Sequence, residues 1–271
     1  MPVLPSLLSI RTRMTVPMKS PDQISNLVLW LDANSGVFDA TSEGNVVTTN
    51  GSSVARWEDQ SGNGYHLIQN SATNRPILAT GVRNNLNAIQ YNGTTANLKT
   101  ATALTHDLLA MTIFSVWNAF NSGGNGLGRV LDLGLLVNQP YTRAITWQAG
   151  PTRFQASVST GISTLVNTPS YNLWNLHVVR WDGTTSPSTN PNWLTQKRSR
   201  ALAATTNSGT NFSVSSCNGQ IFSVGNRENN NGNFDRGWNG YISELIVYDS
   251  NLSNFEISAI ENYLANKWAF T

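Results

Sequence analysis

One cysteine, Cys217, stands in the 271 residues. That excludes an intrachain disulfide and any Cys-x-x-Cys redox or metal motif, so neither stability nor chemistry rests on paired thiols. Cys217 reads as a small buried apolar residue. Charge is scarce too: Asp, Glu, Lys and Arg make up 12% of the chain, about half the usual share. With a formal balance of +2 there is no clustered basic face, and no nucleic-acid partner is expected. No stretch approaches the roughly 18 consecutive apolar residues of a membrane-crossing helix, so no membrane insertion is expected. Pro5 and Ser6 interrupt the apolar run from Leu4 to Ile10, and no cleavable secretion signal is read there.

What the sequence does have is 34 Asn, 21 Gly and nine Trp. Large apolar side chains set among polar, uncharged neighbours suit one sizeable β domain with a packed core. Strands are predicted at Leu27 to Leu31, Val54 to Trp57, Ala88 to Tyr91, Met111 to Trp117, Arg129 to Val137, Arg143 to Trp147, Arg153 to Val158, Trp174 to Trp181, Gln220 to Val224 and Tyr241 to Tyr248. Between them lie Asn92-Gly93, Ser122 to Gly128, Asp182-Gly183, Asn218-Gly219 and Asn231-Gly232, which supply the left-handed backbone that tight turns need. Ten short strands at this spacing indicate an all-β antiparallel sandwich.

The two ends differ from this rhythm. Residues 1–25 carry Pro2, Pro5, Pro17 and Pro21, with Arg11, Arg13 and Lys19 ahead of the first acid, Asp22. They read as an extended arm that binds a protein partner through those three cations, with the sandwich spanning 26–271. At the other end Ser253-Asn254-Phe255-Glu256 has capping-box spacing and starts a helix. Ile257, Ile260, Leu264 and Trp268 form its apolar face, and Glu261 and Lys267 are expected to face water. No β-α-β repeat occurs, which excludes a parallel α/β fold.

Certain strings resemble a known family. Leu29-Trp30-Leu31-Asp32-Ala33, Val54 to Gly64 and Ile89-Gln90-Tyr91-Asn92-Gly93 look like the opening of concanavalin A-like, laminin-G-like jelly-roll domains. Asn226, Phe234, the run from Gly240 to Asp249, Leu252-Ser253, Glu256, Ile260-Glu261, Tyr263-Leu264 and Lys267-Trp268 look like the family's final strand and closing helix. The resemblance implies a two-sheet jelly-roll sandwich with a short C-terminal helix. It implies no single function, because that fold hosts lectins, adhesion modules, glycanases, lyases and virion proteins.

Few strings in the sequence carry recognisable chemistry. Glycanases of that fold carry Glu-x-Asp-x-x-Glu, and none of the six glutamates here is followed two positions later by Asp. Glu244, among Ile and Leu of the closing strand, reads as a partner for a nearby Arg or Trp. The lyase strings Tyr-Phe-Lys-x-Gly and Gln-x-His are missing, as are Gly-x-Ser-x-Gly, His-Glu-x-x-His and a phosphate-binding loop. His66, His106 and His177 stand alone, and His177 reads as a satisfied core imidazole. Weaker candidates are Asp59 and Asn63 as calcium ligands, short of the six oxygens that ion prefers, and Trp193 as a sugar-stacking indole. Lys197-Arg198-Ser199-Arg200 reads as a solvated basic loop.

The expectation drawn from this is a structural and recognition protein without catalysis or cofactor. It would decorate a particle such as a virion, or act outside the cell, in a homo-oligomer or larger assembly anchored by the arm. A carbohydrate-binding, lectin-like adhesion module is the alternative, and a glycan hydrolase or lyase with an unfamiliar site ranks third.

Overall fold

The computed structural model describes residues 16–134, 143–148, 153–158, 161–165, 171–182, 194–199, 201–202, 205–208, 218–227 and 235–271. Among them the chain forms β1 (Leu27–Asp32), β2 (Val37–Phe38), β3 (Arg56–Trp57), β4 (Leu67–Ile68), β5 (Ile77–Arg83) and β6 (Leu86–Asn92). Next come β7 (Leu98–Thr100), β8 (Ala110–Ala119), β9 (Arg129–Gly134), β10 (Arg143–Gln148), β11 (Arg153–Val158) and β12 (Gly161–Leu165). β13 (Trp174–Asp182), β14 (Leu194–Arg198), β15 (Ala201–Leu202), β16 (Thr205–Ser208), β17 (Ile221–Val224) and β18 (Asn239–Tyr248) follow, then α1 (Asn254–Trp268).

Their pairings build two antiparallel sheets. The first runs β15-β14-β13-β8-β18-β6-β5, with β1 also on β18, and the second runs β16-β12-β11-β10-β9-β17-β7-β4-β3-β2. The result is a two-sheet jelly-roll sandwich with one short C-terminal helix. β18 organises the first sheet. One flank pairs with β8, while the other is divided, Asn239 to Ile242 pairing with β6 and Glu244 to Tyr248 with β1. A bulge between Ile242 and Glu244 marks the changeover.

Period-two alternation sorts the side chains. Trp117 and Ile242, opposite each other on β8 and β18, face the second sheet and join Trp57, Trp181 and Trp238 in the inter-sheet core. Burying an indole of this size removes about 150–250 Å² from water, on the order of 4–6 kcal/mol each. The alternate residues Phe114, Val116, Leu176, Ile246 and Tyr248 face outward, where Ile257, Ile260, Leu264 and Trp268 of α1 cover them. The helix begins as its spacing predicts: Ser253 Oγ accepts from Glu256 N–H at 3.3 Å, and Glu256 Oε2 accepts from Ser253 N–H at 2.8 Å.

Three expectations change. Glu261 is buried and its carboxylate lies 2.6 Å from Lys197 Nζ of β14, and Lys267 is turned inward as well, so neither faces water. Of the basic string, Lys197 and Arg198 instead end β14, Ser199 follows at φ 47°, and Arg200 lies outside the described residues. Of the expected arm, the described part lies against the chain's own body: Val16 O accepts from Asn262 Nδ2 at 2.8 Å, Pro21 O from Tyr248 OH at 2.9 Å, and Ile24 enters the helix-side core.

Glycine shapes one corner where three backbones meet. Gly124 N–H donates to Gly237 O and Gly93 N–H to Trp238 O, both at 2.8 Å. A Cβ on Gly237 would stand 2.4 Å from the Gly93 carbonyl carbon and 2.6 Å from its oxygen. Backbone cannot yield as a side chain can. Gly237→Ala is expected to cost about 2–3 kcal/mol, read as a lower urea midpoint with an unchanged denaturant slope.

Candidate functional site

The outer face of the first sheet is divided between a helix-covered half and an open half. Under the helix sits a buried carboxylate. Glu244 Oε1 accepts from Trp30 Nε1 at 2.9 Å and Tyr263 OH at 3.1 Å, and Oε2 accepts from Trp268 Nε1 at 2.6 Å. Lys267 Nζ lies 2.9 Å from Glu244 Oε2 and 2.6 Å from Asp32 Oδ2. The family-like strings at both ends of the chain thus meet in one network, and Glu244 does partner tryptophan. Burial works against the Lys267 ammonium, yet Glu244 and Asp32 outweigh it and hold its pKa above the ordinary lysine value. The helix end is pinned by Arg83, which donates to Trp268 O and, at 2.7 Å, to Ala269 O.

Beside the helix the face opens. Strand register places Trp174 opposite Asn118, Asn118 opposite Tyr241, Tyr241 opposite Gln90 and Gln90 opposite Ile77. Their neighbours Trp117, Ile242 and Ile89 face the inter-sheet core, so this row faces out. The Trp174 and Tyr241 rings are near-parallel, 8° apart with centroids at 5.7 Å, and Phe120 meets Tyr241 edge-on at 4.8 Å. Trp268 continues the line, 6.5 Å from Trp174 and 15° from parallel. Trp174, Tyr241, Phe120 and Gln90 are partly exposed, whereas Asn118 is 7% exposed and its Oδ1 has no hydrogen-bond partner. The site is therefore an aromatic strip over a buried, uncommitted acceptor, with a side-chain amide alongside.

The strand pattern of the sequence includes Trp174 and Tyr241, but nothing local shows that they meet. The residues it singled out lie elsewhere. Asp59 Oδ1 accepts from Trp30 N–H at 3.0 Å and Ser61 N–H at 2.9 Å, and Oδ2 from Ser61 Oγ at 2.7 Å and Tyr65 N–H at 3.1 Å. Asn63 Nδ2 donates to Leu27 O at 2.8 Å and Val28 O at 3.0 Å. Both metal candidates are thus committed to clasping their loop to β1. Among the described residues no group of three His, Cys, Asp or Glu is placed to hold a metal ion. His177 is fully buried, its Nε2 3.0 Å from Gln196 Oε1. Lys19 lies on the chain's own helix, its N–H directed at Ala259 O at 3.5 Å. Arg11, Arg13, Trp193 and Cys217 lie outside the described residues.

No protein-family model matches the chain, and no curated protein matches it in sequence. Solved structures do share its fold. Domain 4 of AbnA, a GH43 extracellular arabinanase from Geobacillus stearothermophilus, in complex with arabinotriose, aligns with TM-score 0.52 and 14% identity over 87% of this chain and 98% of that domain. A Trypanosoma rangeli sialidase aligns with TM-score 0.54 and 11% identity over 92% of this chain and 34% of that one. A GH54 α-L-arabinofuranosidase aligns with TM-score 0.54 and 15% identity over 81% of this chain and 52% of that one. The chain therefore spans only part of either enzyme. These likenesses overturn the expectation of a non-enzyme: the same sandwich occurs within glycosidases, so missing motifs do not set this chain apart from them. At this level of identity the likeness shows the fold alone and no activity.

The Glu244 network has a pH signature. Burial pushes its carboxyl above the ordinary 4.5, Lys267 opposes the rise and Asp32 adds to it. A raised folded pKa means that the folded chain keeps this proton to higher pH than the unfolded chain. Stability present in acid is then lost as the pH climbs from the unfolded value through the folded one. Lys267→Met removes the opposing charge and leaves two buried carboxylates facing each other. Its expected cost is about 3–5 kcal/mol at neutral pH, part of it regained near about pH 5, as read by urea unfolding at the two pH values.

Proposed function

We propose that the chain binds glycans, with a sugar ring laid against Trp174 and Tyr241 on the open half of the first sheet's outer face. The observation that carries this reading is the partly exposed aromatic strip above the unpartnered Asn118 Oδ1. A sugar has an apolar C–H face and a rim of hydroxyls. An aromatic surface takes the first, and a few fixed polar groups, here Asn118 Oδ1 and the Gln90 amide, orient the second. Steric preparation favours the same use: Trp268 is fixed by Glu244 and backs Trp174, so the strip is set before a ligand arrives and loses little freedom on binding. The arabinotriose held by the similarly sized domain 4 of the arabinanase supports this class of ligand. The particle-surface reading draws no comparable support.

A glycan array probed with and without calcium, followed by calorimetry with arabino-oligosaccharides and the best array hits, tests the proposal. Trp174→Ala and Tyr241→Ala are each expected to weaken binding about tenfold or more, since losing one well-buried aromatic contact at a binding site exceeds about 1.4 kcal/mol. An empty array, or full binding by a folded Trp174→Ala protein, would sink it.

A further inference from the structure

Where the aromatic strip meets the end of the helix stands a cation that no acid answers. The β5–β6 hairpin reaches the C-terminal end of α1, and there Asn84 Nδ2 donates to Lys267 O at 2.8 Å. Beside it Arg83 Nε donates to Trp268 O, and Arg83 Nη2 to Ala269 O at 2.7 Å. The same guanidinium lies over the Phe270 ring, its Cζ 4.1 Å from the centroid, and 5.9 Å from the centroid of Trp174. Two carbonyls and a ring face thus fix Arg83 at the edge of the strip.

Its charge has no counterpart. Lys267 is paired with Asp32 and Glu244, and Lys197 with Glu261. Arg83 forms no ion pair with a carboxylate among the described residues. Burial alone moves its pKa, and moves it down, with no neighbouring acid to pull it back. Its hydrogen bonding is unfinished as well. A guanidinium has five N–H groups in a rigid fork, and the two carbonyls take one on Nε and one on Nη2, along one edge. The next edge, formed by Nη1 and the second Nη2 hydrogen, is unclaimed by the chain. Arg83 is partly exposed, and Nη1 is without a partner yet not buried, so water reaches this edge.

From this geometry we infer that the aromatic strip selects acidic sugars, with Arg83 taking the carboxylate of a hexuronic acid whose ring lies against Trp174. The inference rests on glycan binding at the strip, as proposed for the chain, and adds the class of sugar. Two parallel N–H groups match the two oxygens of a planar carboxylate, the pairing for which arginine is best suited. The 5.9 Å from Trp174 to the guanidinium is spanned by one sugar ring carrying the acid at its rim. A neutral sugar leaves the fork to water, and an inorganic anion brings no apolar face for the rings.

Calorimetry of the full chain compares tetragalacturonate with its fully methyl-esterified form, which keeps the rings and hydroxyls and lacks the charge. At about 0.02 M salt the acid is expected to bind about tenfold or more tightly than the ester, and most of that gap should close near about 0.5 M. Arg83→Gln should bring the acid down to the affinity of the ester and leave the ester unchanged, whereas Trp174→Ala should weaken both. The inference is overturned if acid and ester bind alike at low salt, if neither binds, if a folded Arg83→Gln protein keeps the preference, or if acid binding survives Trp174→Ala. Should Arg83→Gln not fold, Arg83→Lys, which keeps the charge and lacks the fork, takes its place and should lose most of the preference. Equal binding of acid and ester, or binding of neutral array hits alone, would remove the role of Arg83 and keep the strip as a glycan site. An empty array would remove both.

Discussion

A single buried carboxylate, that of Glu244, ties together the parts that make this sandwich more than two stacked sheets. It sits on the central strand just past the bulge where β18 changes partner, and it receives donors from β1 through Trp30 and from α1 through Tyr263, Lys267 and Trp268. Strand β1 is paired to β18 and α1 is docked by its apolar face, and this carboxylate adds the polar tie that joins the two to each other. A buried charge is costly unless every lone pair is answered, and here indole, phenol and ammonium donors answer it. The same arrangement decides orientation, because only one rotation of α1 brings Tyr263, Lys267 and Trp268 to the carboxylate together.

The consequence reaches the open face. Trp268 is held at its nitrogen by Glu244 and along its ring by Trp174, so a structural network and a recognition surface share one indole. The outer faces of the two sheets then differ in character. One presents aromatic planes with amide oxygens, and the other carries charged residues, Arg129 and Asp132 of β9 with Arg227, Asp235 and Arg236. The fold likeness to parts of glycan-acting enzymes accords with a scaffold whose faces can be specialised independently.

Much of this was legible in the residues, and the limits have physical causes. The capping box at Ser253 and the three- and four-residue apolar spacing after it mark α1 directly, since both are local. Long strands such as β8 and β13 announce themselves by length and β-branched content. The two-residue strands β2, β3 and β4 do not, because a pattern of period two needs more than two residues to be seen. β12 and β16 are rich in Ser and Thr and lack the apolar phase that would mark them. Lys267 and Glu261 fall on the polar side of the helical pattern, yet Asp32 and Lys197 come from strands distant in sequence and, with Glu244 of the preceding strand, turn that side inward. The aromatic strip was hidden for the same reason: Asn118, Trp174 and Tyr241 become neighbours only through the β13-β8-β18 pairing. The one local hint was the phase of Tyr241, just before the core residue Ile242.

The position of β18 also bears on how the molecule assembles during synthesis. Its partners β1, β6 and β8 are made long before it, and none of them pairs with another, so the first sheet stays in three pieces, β1, β5-β6 and β8-β13-β14-β15, until residues 239–248 emerge. Each piece meanwhile exposes an unpaired strand edge lined with apolar residues, the kind of surface that captures a neighbouring chain. A nascent chain interrupted before β18 would therefore hold adhesive sheet fragments rather than a smaller sandwich. A translating ribosome must carry that hazard almost to the C-terminal helix.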